Sequence, residues 1–295
     1  KGIKGRINVN IDGGTIGINA ADDAIHSNGS LMVNAGSLTL ASGDDGIHTD
    51  ATLTINSGTI GITKSYEGIE SAVITINGGE INLTASDDGI NVGGGVDGSG
   101  GMGPGSGGMR PGGADGSIPV PADRQDLRAT IEAAGGMQAI QATVQAGGEA
   151  PEGVPVMQGT PRAPGGFQGG MTGGGFGRDT FAASGDYHLY INGGNITVDA
   201  NGDGIDANGT IEMTGGLVVV NGPTERMNGA LDFVSFTIKG GFIVAAGSSG
   251  MAQAPGGSSS QNSLLLNFTA EQPAGSLVAI QDGNGQEILT FAPGK

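Results

Sequence analysis

The acidic residues of this chain recur at a fixed offset. Asp23, Asp45, Glu67, Asp88 and Asp203 each stand two residues ahead of an isoleucine, at Ile25, Ile47, Ile69, Ile90 and Ile205. Most have a second acid beside them, as in Asp22-Asp23, Asp44-Asp45 and Asp87-Asp88, with Tyr66 before Glu67 and Asp206 after Ile205. If the repeat superposes equivalent positions, the first four become a ladder of carboxylates. Two unit charges about 5 Å apart at an effective dielectric near 20 repel by roughly 3 kcal/mol. Several such pairs rival the stability of a whole domain. The ladder has to be relieved by protonation, by splaying into water, or by a bound cation. Lys and Arg are scarce, and Lys64 is the only one near these acids in sequence. Carboxylates, turn carbonyls and tight Gly loops are what Ca2+ takes as ligands, at about 2.3–2.6 Å.

A local motif points the same way. Asp199-Ala200-Asn201-Gly202-Asp203-Gly204-Ile205 has the D-x-N-x-D-G opening of a calcium loop. An EF-hand would place a bidentate Glu at its twelfth position, where Thr210 stands, so the loop is not an EF-hand. The competing reading is that Asp and Asn merely populate tight turns, because they tolerate left-handed backbone and bond their own main chain. The expected Ca2+ ligands are Asp22, Asp23, Asp44, Asp45, Glu67, Asp87, Asp88, Asp199, Asn201, Asp203, Asp206 and Asp232. His26 and His48 share a column with Glu70, Asn91 and Asp206, and are read as solvated ladder residues rather than metal ligands. No catalytic residue is singled out.

The elements that must position these acids are legible in the same repeat. The Ile25 series steps by 22, 22 and 21 residues, and four apolar columns travel with it. They are Val9, Leu31, Leu53, Ile74; Ile11, Val33, Ile55, Ile76; Ile16, Leu38, Ile60, Ile81; and Ile18, Leu40, Ile62, Leu83. Within each unit the apolar residues alternate with polar ones, the period of a strand with one buried face. Turns such as Asn56-Ser57-Gly58 and Asn77-Gly78-Gly79 hold a constant offset between them. A unit of this length accommodates three short strands and three turns, one coil of a parallel β-helix. Equivalent residues then stack at the strand spacing of about 4.8 Å. The crossover rule makes the coil right-handed. The fold class is therefore all-β, and four segments follow: coils over 1–92, an insertion over 93–185, resumed coils over 186–250 and a cap over 251–295. The insertion is rich in Gly, Pro and Met. Its Pro121 to Ala146 island, with Leu127, Ile131, Ile140 and Val144, is expected to form two short helices, and the whole segment a partly ordered lid. Leu264 to Phe268 and Leu277 to Phe291 read as antiparallel cap strands. Lys1-Gly2-Ile3 sits mid-coil, so the first coil is expected to begin before Lys1.

Composition narrows the function. Of 295 residues, 62 are Gly and 12 Pro, too glycine-rich for a helical protein and without the triplet period of collagen. The formal net charge of −17 opposes nucleic-acid phosphates and anionic membranes. With no Cys, neither disulfides nor thiolate metal sites are possible. No apolar run is long enough for a membrane span, and no leader pattern opens the chain.

The block Asp44-Asp45-Gly46-Ile47-His48, turns of the type Ile76-Asn77-Gly78-Gly79, and the stretch from Asn221-Gly222-Pro223 through Asn228-Gly229-Ala230-Leu231-Asp232 and Ile238-Lys239-Gly240-Gly241 to Ala245-Ala246-Gly247-Ser248-Ser249-Gly250-Met251-Ala252-Gln253 resemble the bacterial carbohydrate-binding β-helix family. That family includes a cell-surface cellulose- and acid-sugar-binding protein of a cellulolytic anaerobe. The resemblance covers both repeat blocks and the cap. It implies a pectate-lyase-like fold, calcium at the acidic turns, binding to polygalacturonate and cellulose, and a place outside the cell or on a bacterial surface. Absence of Trp, with only Tyr66, Tyr187 and Tyr190 as flat phenol faces, favours acid sugar over crystalline cellulose. Two alternatives stay open. One is a calcium-dependent pectate lyase, with Arg6, Arg226, Lys64 or Lys239 as base. The other is a surface stalk in which calcium only stiffens the coil.

Overall fold

The computed structural model describes residues 1–93 and 186–295, and all regular structure there is β-strand. Parallel strands β1 (Ile3–Gly5), β4 (Ile25–Ser27), β7 (Ile47–Ile55), β9 (Ile69–Ile76), β11 (Ile90–Val92), β14 (Ile205–Met213) and β16 (Leu231–Ile238) stack into a 10-stranded sheet. The same sheet takes in β2 (Asn8–Ile11), β5 (Ser30–Val33) and β12 (His188–Ile191). A 7-stranded parallel sheet runs β3 (Thr15–Ala20), β6 (Ser37–Ser42), β8 (Thr59–Lys64), β10 (Glu80–Ala85), β13 (Asn195–Ala200), β15 (Leu217–Asn221) and β17 (Phe242–Ala246). Together they form a β-solenoid of about 7 turns with ~22 residues per turn.

The four apolar columns are the core. Leu31 pairs with Leu53, Leu53 with Ile74, Ile74 with Leu189 and Leu189 with Ile211, each buried to 1% exposure or less. In the second sheet Leu38, Ile60, Ile81, Ile196 and Val218 stack in the same way. Each burial is worth about 1.5–3 kcal/mol, and alternation puts all of them on one side. The long segment between β11 and β12 leaves the register intact, because β10 pairs directly with β13, Ile81 against Ile196. The helices expected over Pro121 to Ala146, and the lid over 93–185, lie outside the described residues.

Two expectations need correction. A coil does not have three separate strands and turns throughout. Its first two segments fuse into single strands of the 10-stranded sheet in β7, β9, β14 and β16, and the anticipated turn is only a register shift, between Thr49 and Thr52 and between Ala207 and Thr210. One extra residue bends a strand without ending its pairing. Leu264 to Phe268 is not a strand either, and Leu264, Leu265, Leu266 and Phe268 are exposed. Successive leucines point to both faces of a strand, so the run has no single side to bury. The antiparallel pair is β18 (Val278–Gln281) with β19 (Glu287–Phe291). It packs through Leu289 and Phe291 on Val219, Phe242 and Val244, the outer side of the 7-stranded sheet.

The turn between the sheets is held by an amide ladder. Asn34 Nδ2 donates to Asp12 Oδ1 (2.6 Å), Asn56 to Asn34 (2.7 Å), Asn77 to Asn56 (2.8 Å) and Asn192 to Asn77 (2.9 Å). Two residues on, Gly36, Gly58, Gly79 and Gly194 have φ of 114°, 112°, 106° and 90°, a region that disfavours a Cβ. Asn56→Ala removes one donor and one acceptor from the ladder and is expected to cost about 1–2 kcal/mol in urea unfolding. Ile60→Ala, at a fully buried position, is expected to cost more, about 2–5 kcal/mol.

Candidate functional site: the acidic edge

Where the 7-stranded sheet hands the chain back to the 10-stranded sheet, three polar columns run side by side. The outer one is Asp22, Asp44, Tyr66, Asp87; the middle one Lys1, Asp23, Asp45, Glu67, Asp88, Asp203; the inner one His26, His48, Glu70, Asn91, Asp206, Asp232. The windings are locked together beside them by main-chain bonds. Gly46 N–H donates to Glu67 O (3.0 Å), Gly68 to Asp88 O (2.9 Å) and Gly89 to Asp203 O (2.9 Å). A Cβ at Gly68 would collide with Gly89 O, so the glycines of the Gly-Ile pairs are what let the backbones, and the carboxylates with them, come this close.

At the Lys1 end, basic groups meet the acids. Lys1 Nζ lies 2.8 Å from Asp23 Oδ2 and 3.0 Å from His26 Nδ1, and Asp23 Oδ2 is 2.7 Å from that same nitrogen. Asp23 and His26 are both 0% exposed. Burial pushes the Asp23 carboxyl up, but its bonds to Lys1 and His26 outweigh that and hold it below the usual value. His26 is held below the usual imidazole value by burial and by the charges of Lys1 and His48. Its ring stacks on His48 with centroids 4.8 Å apart. His48 Nδ1 contacts Asp45 Oδ2 (2.9 Å) and Glu70 Oε2 (2.8 Å), and Nε2 lies 3.3 Å from Asp50 Oδ1. Burial opposes its charge, yet the bonds to Asp45 and Glu70 prevail and raise it to about 11, so His48 is an imidazolium. Asp45 is raised to about 7 by burial and by the charges of Glu70 and Asp44, against its bond with His48. The two histidines are therefore buried, not solvated, and Lys1 and His48 supply positive charge that sequence distance hid. Register alone could have found Lys1, which stands 22 positions before Asp23.

Compensation thins along the column. Asn91 Nδ2 donates to Glu67 Oε2 (3.0 Å), but burial and the charges of Glu70 and Asp45 still push Glu67 up to about 9. Asp88 Oδ1 accepts the Asp203 N–H (2.6 Å), and Asp203 Oδ1 the Gly229 N–H. Burial and the charges of Asp87, Asp206 and Asp203 nevertheless push Asp88 up to about 8. Asp88, Asp203 and Asp206 bring one ligand oxygen each to within 4.8 Å of one another, as do Asp22, Asp23 and Asp44. A Cβ at Gly202 would strike the carboxylates of both Asp87 and Asp88, so those two lean over the same glycine. Tyr66, 48% exposed, is bonded to Asp87, which with burial raises its phenol.

The remaining sequence candidates lie elsewhere. Asp199 Oδ1 meets Lys295 Nζ at 2.8 Å, and the same ammonium donates to Asn201 Oδ1 at 3.0 Å. The first half of the D-x-N-x-D-G turn thus faces a lysine, while its last acid, Asp203, joins the acidic edge. Asp232 accepts from Gln253 Nε2 (2.7 Å). Of the basic residues considered for proton abstraction, Lys239 is paired with Glu212 at 2.9 Å.

Glu67 and Asp88 bind their protons more tightly folded than unfolded, so unfolding releases protons between the two values and stability falls as pH rises. His48 acts in the same direction, its contribution complete below its unfolded value and lost as pH rises through about 11. The melting temperature in chelator is expected to decline from about pH 5 to about pH 9, and added Ca2+ to restore it most at the alkaline end. A melting temperature that climbs with pH in chelator would contradict this account of the edge.

Residues 1–46 match the model of a family described as carbohydrate-binding domain-containing protein; that span covers the first windings and includes Asp22, Asp23, His26, Asp44 and Asp45. No curated protein and no solved structure matches the chain. The fold and the acidic edge are thus accompanied by a sequence similarity to carbohydrate-binding proteins over those windings.

Proposed function

We propose that the protein is a non-catalytic, Ca2+-dependent carbohydrate-binding protein that holds acidic plant cell-wall polysaccharide, polygalacturonate above all, at an extracellular or bacterial cell-surface position. The observation that carries this reading is the convergence of Asp88, Asp203 and Asp206, with Asp87 leaning in, where burial and the neighbouring acids raise the Asp88 carboxyl to about 8. Hard oxygen ligands of this kind suit Ca2+. A Ca2+ ion with ligand positions left over bridges to a uronate carboxylate, which a chain of charge −17 would otherwise repel. The half-exposed ring of Tyr66, fixed by Asp87, offers a sugar face one winding away. The match of residues 1–46 to a carbohydrate-binding family supports the same class of ligand. Cellulose is the weaker candidate: Tyr187 packs against the core and Tyr190 leans on His188, and both are less exposed than Tyr66.

Electrophoresis through gels containing polygalacturonate tests this reading. Retardation is expected with Ca2+ and not with chelator, and the double change Asp88→Asn with Asp203→Asn is expected to weaken Ca2+ binding on the order of tenfold or more. Tyr66→Ala is expected to cost about 0.5–1.5 kcal/mol of sugar affinity. Retardation indifferent to chelator would remove calcium from the mechanism, and release of unsaturated uronide would make the protein a lyase.

A further inference from the structure

The Lys1 end of the acidic edge differs in kind from the Asp88 end, because its ligand atoms include imidazole nitrogens. We propose that Asp23, His26 and His48 form a separate binding site for a divalent transition-metal ion of the zinc class. The site does not depend on the calcium reading, since it shares no ligand with the Asp88, Asp203 and Asp206 cluster.

Three observations converge on it. Asp23, His26 and His48 each place one ligand atom within 4.8 Å of the others. Asp23 Oδ1 and His26 Nε2 are buried with no hydrogen-bond partner among the described residues, on side chains that are both 0% exposed. A buried polar atom left unpaired is expensive, and native structures seldom tolerate two in one cluster. Neither tautomer of His26 repairs this: with the proton on Nδ1 a bare lone pair is buried at Nε2, and with it on Nε2 a buried N–H has no acceptor. The last observation is the ammonium itself. Lys1 Nζ touches Asp23 Oδ2 and His26 Nδ1 at once, while those two atoms are 2.7 Å apart. Lys1 thus takes up Nδ1 and Oδ2 and leaves Nε2 and Oδ1 as the open ligand atoms, and its ammonium opposes a second cation on the same two side chains.

Imidazole and carboxylate together are a zinc-class donor set, whereas Ca2+ takes oxygen. Burial holds His26 below the usual imidazole value, toward the neutral form a metal needs. His48 must give up its proton, and Asp45 and Glu70 beside it remain as the outer carboxylates that orient a metal-bound imidazole. Bonds of about 2.0–2.1 Å in a tetrahedral shell require ligand atoms near 3.3 Å apart, so binding draws the two rings together from their present tilt of 29°.

The experiment is a titration of the untagged chain with Co2+ in the presence of excess Ca2+, followed by visible absorption. One equivalent is expected to give the intense bands of a low-symmetry site with nitrogen ligands, with release of a proton, and Zn2+ is expected to bleach them. His26→Gln and His48→Gln are each expected to abolish the bands, while Asp88→Asn with Asp203→Asn keeps them. Lys1→Met, which removes the competing ammonium, is expected to tighten Co2+ binding several-fold and decides the matter should a histidine variant fail to fold. Absence of the bands in the parent chain, their survival in a folded His26→Gln protein, their loss to Ca2+, or unchanged affinity in Lys1→Met would overturn the assignment. Loss of polygalacturonate binding in the Asp88 and Asp203 variant has no bearing on it, so the two sites can fail independently.

Discussion

A parallel coil places every residue over its own counterpart at about 4.8 Å, and the rest of this structure follows from how each residue type responds to meeting itself. Isoleucine over isoleucine excludes water. Asparagine over asparagine exchanges a donor for an acceptor, and so Asp12, Asn34, Asn56, Asn77 and Asn192 form a continuous chain of bonds. Carboxylate over carboxylate repels. The protein nevertheless holds acids in the stacked position from Asp23 to Asp203, on windings locked by their backbones.

The repulsion is relieved unevenly, and the unevenness gives the edge its chemistry. Near Lys1 an ammonium and an imidazolium lie among the acids, and Asp23 is kept ionised below its usual range. Farther along, Glu67 accepts from an amide and Asp88 from a backbone N–H, and both are raised well above the range of an exposed carboxyl. A cation is worth most where the fold supplies least. The sugar recognition proposed above, through bound calcium with Tyr66 beside it, would draw on that unrelieved end of the edge.

The residues show how far a repeat can be read without coordinates. The columns through Leu53 and Ile60, the turn amides and the alignment of Asp23, Asp45, Glu67 and Asp88 all follow from spacing, because a 22-residue period and strand alternation fix which atoms stack. The burial of His26 and His48 does not, since two columns of the edge close over each other only when the chain has turned between sheets. The contact of Lys295 with Asp199 and Asn201 joins residues 94 to 96 positions apart, outside any period. The Leu264 to Phe268 run reads as strand by composition and fails for lack of a buried side.

The sequence by itself determined the architecture, the composition of each column and the line along which acids accumulate, because translation by one winding is a local rule that each repeat carries in full. Only the tertiary structure decided which of those acids are neutralised. Lys1 apart, which stands one period before Asp23, charge compensation depends on contacts such as those of His48 with Asp45 and Glu70 and of Lys295 with Asp199, at separations of a few ångströms that no periodicity encodes.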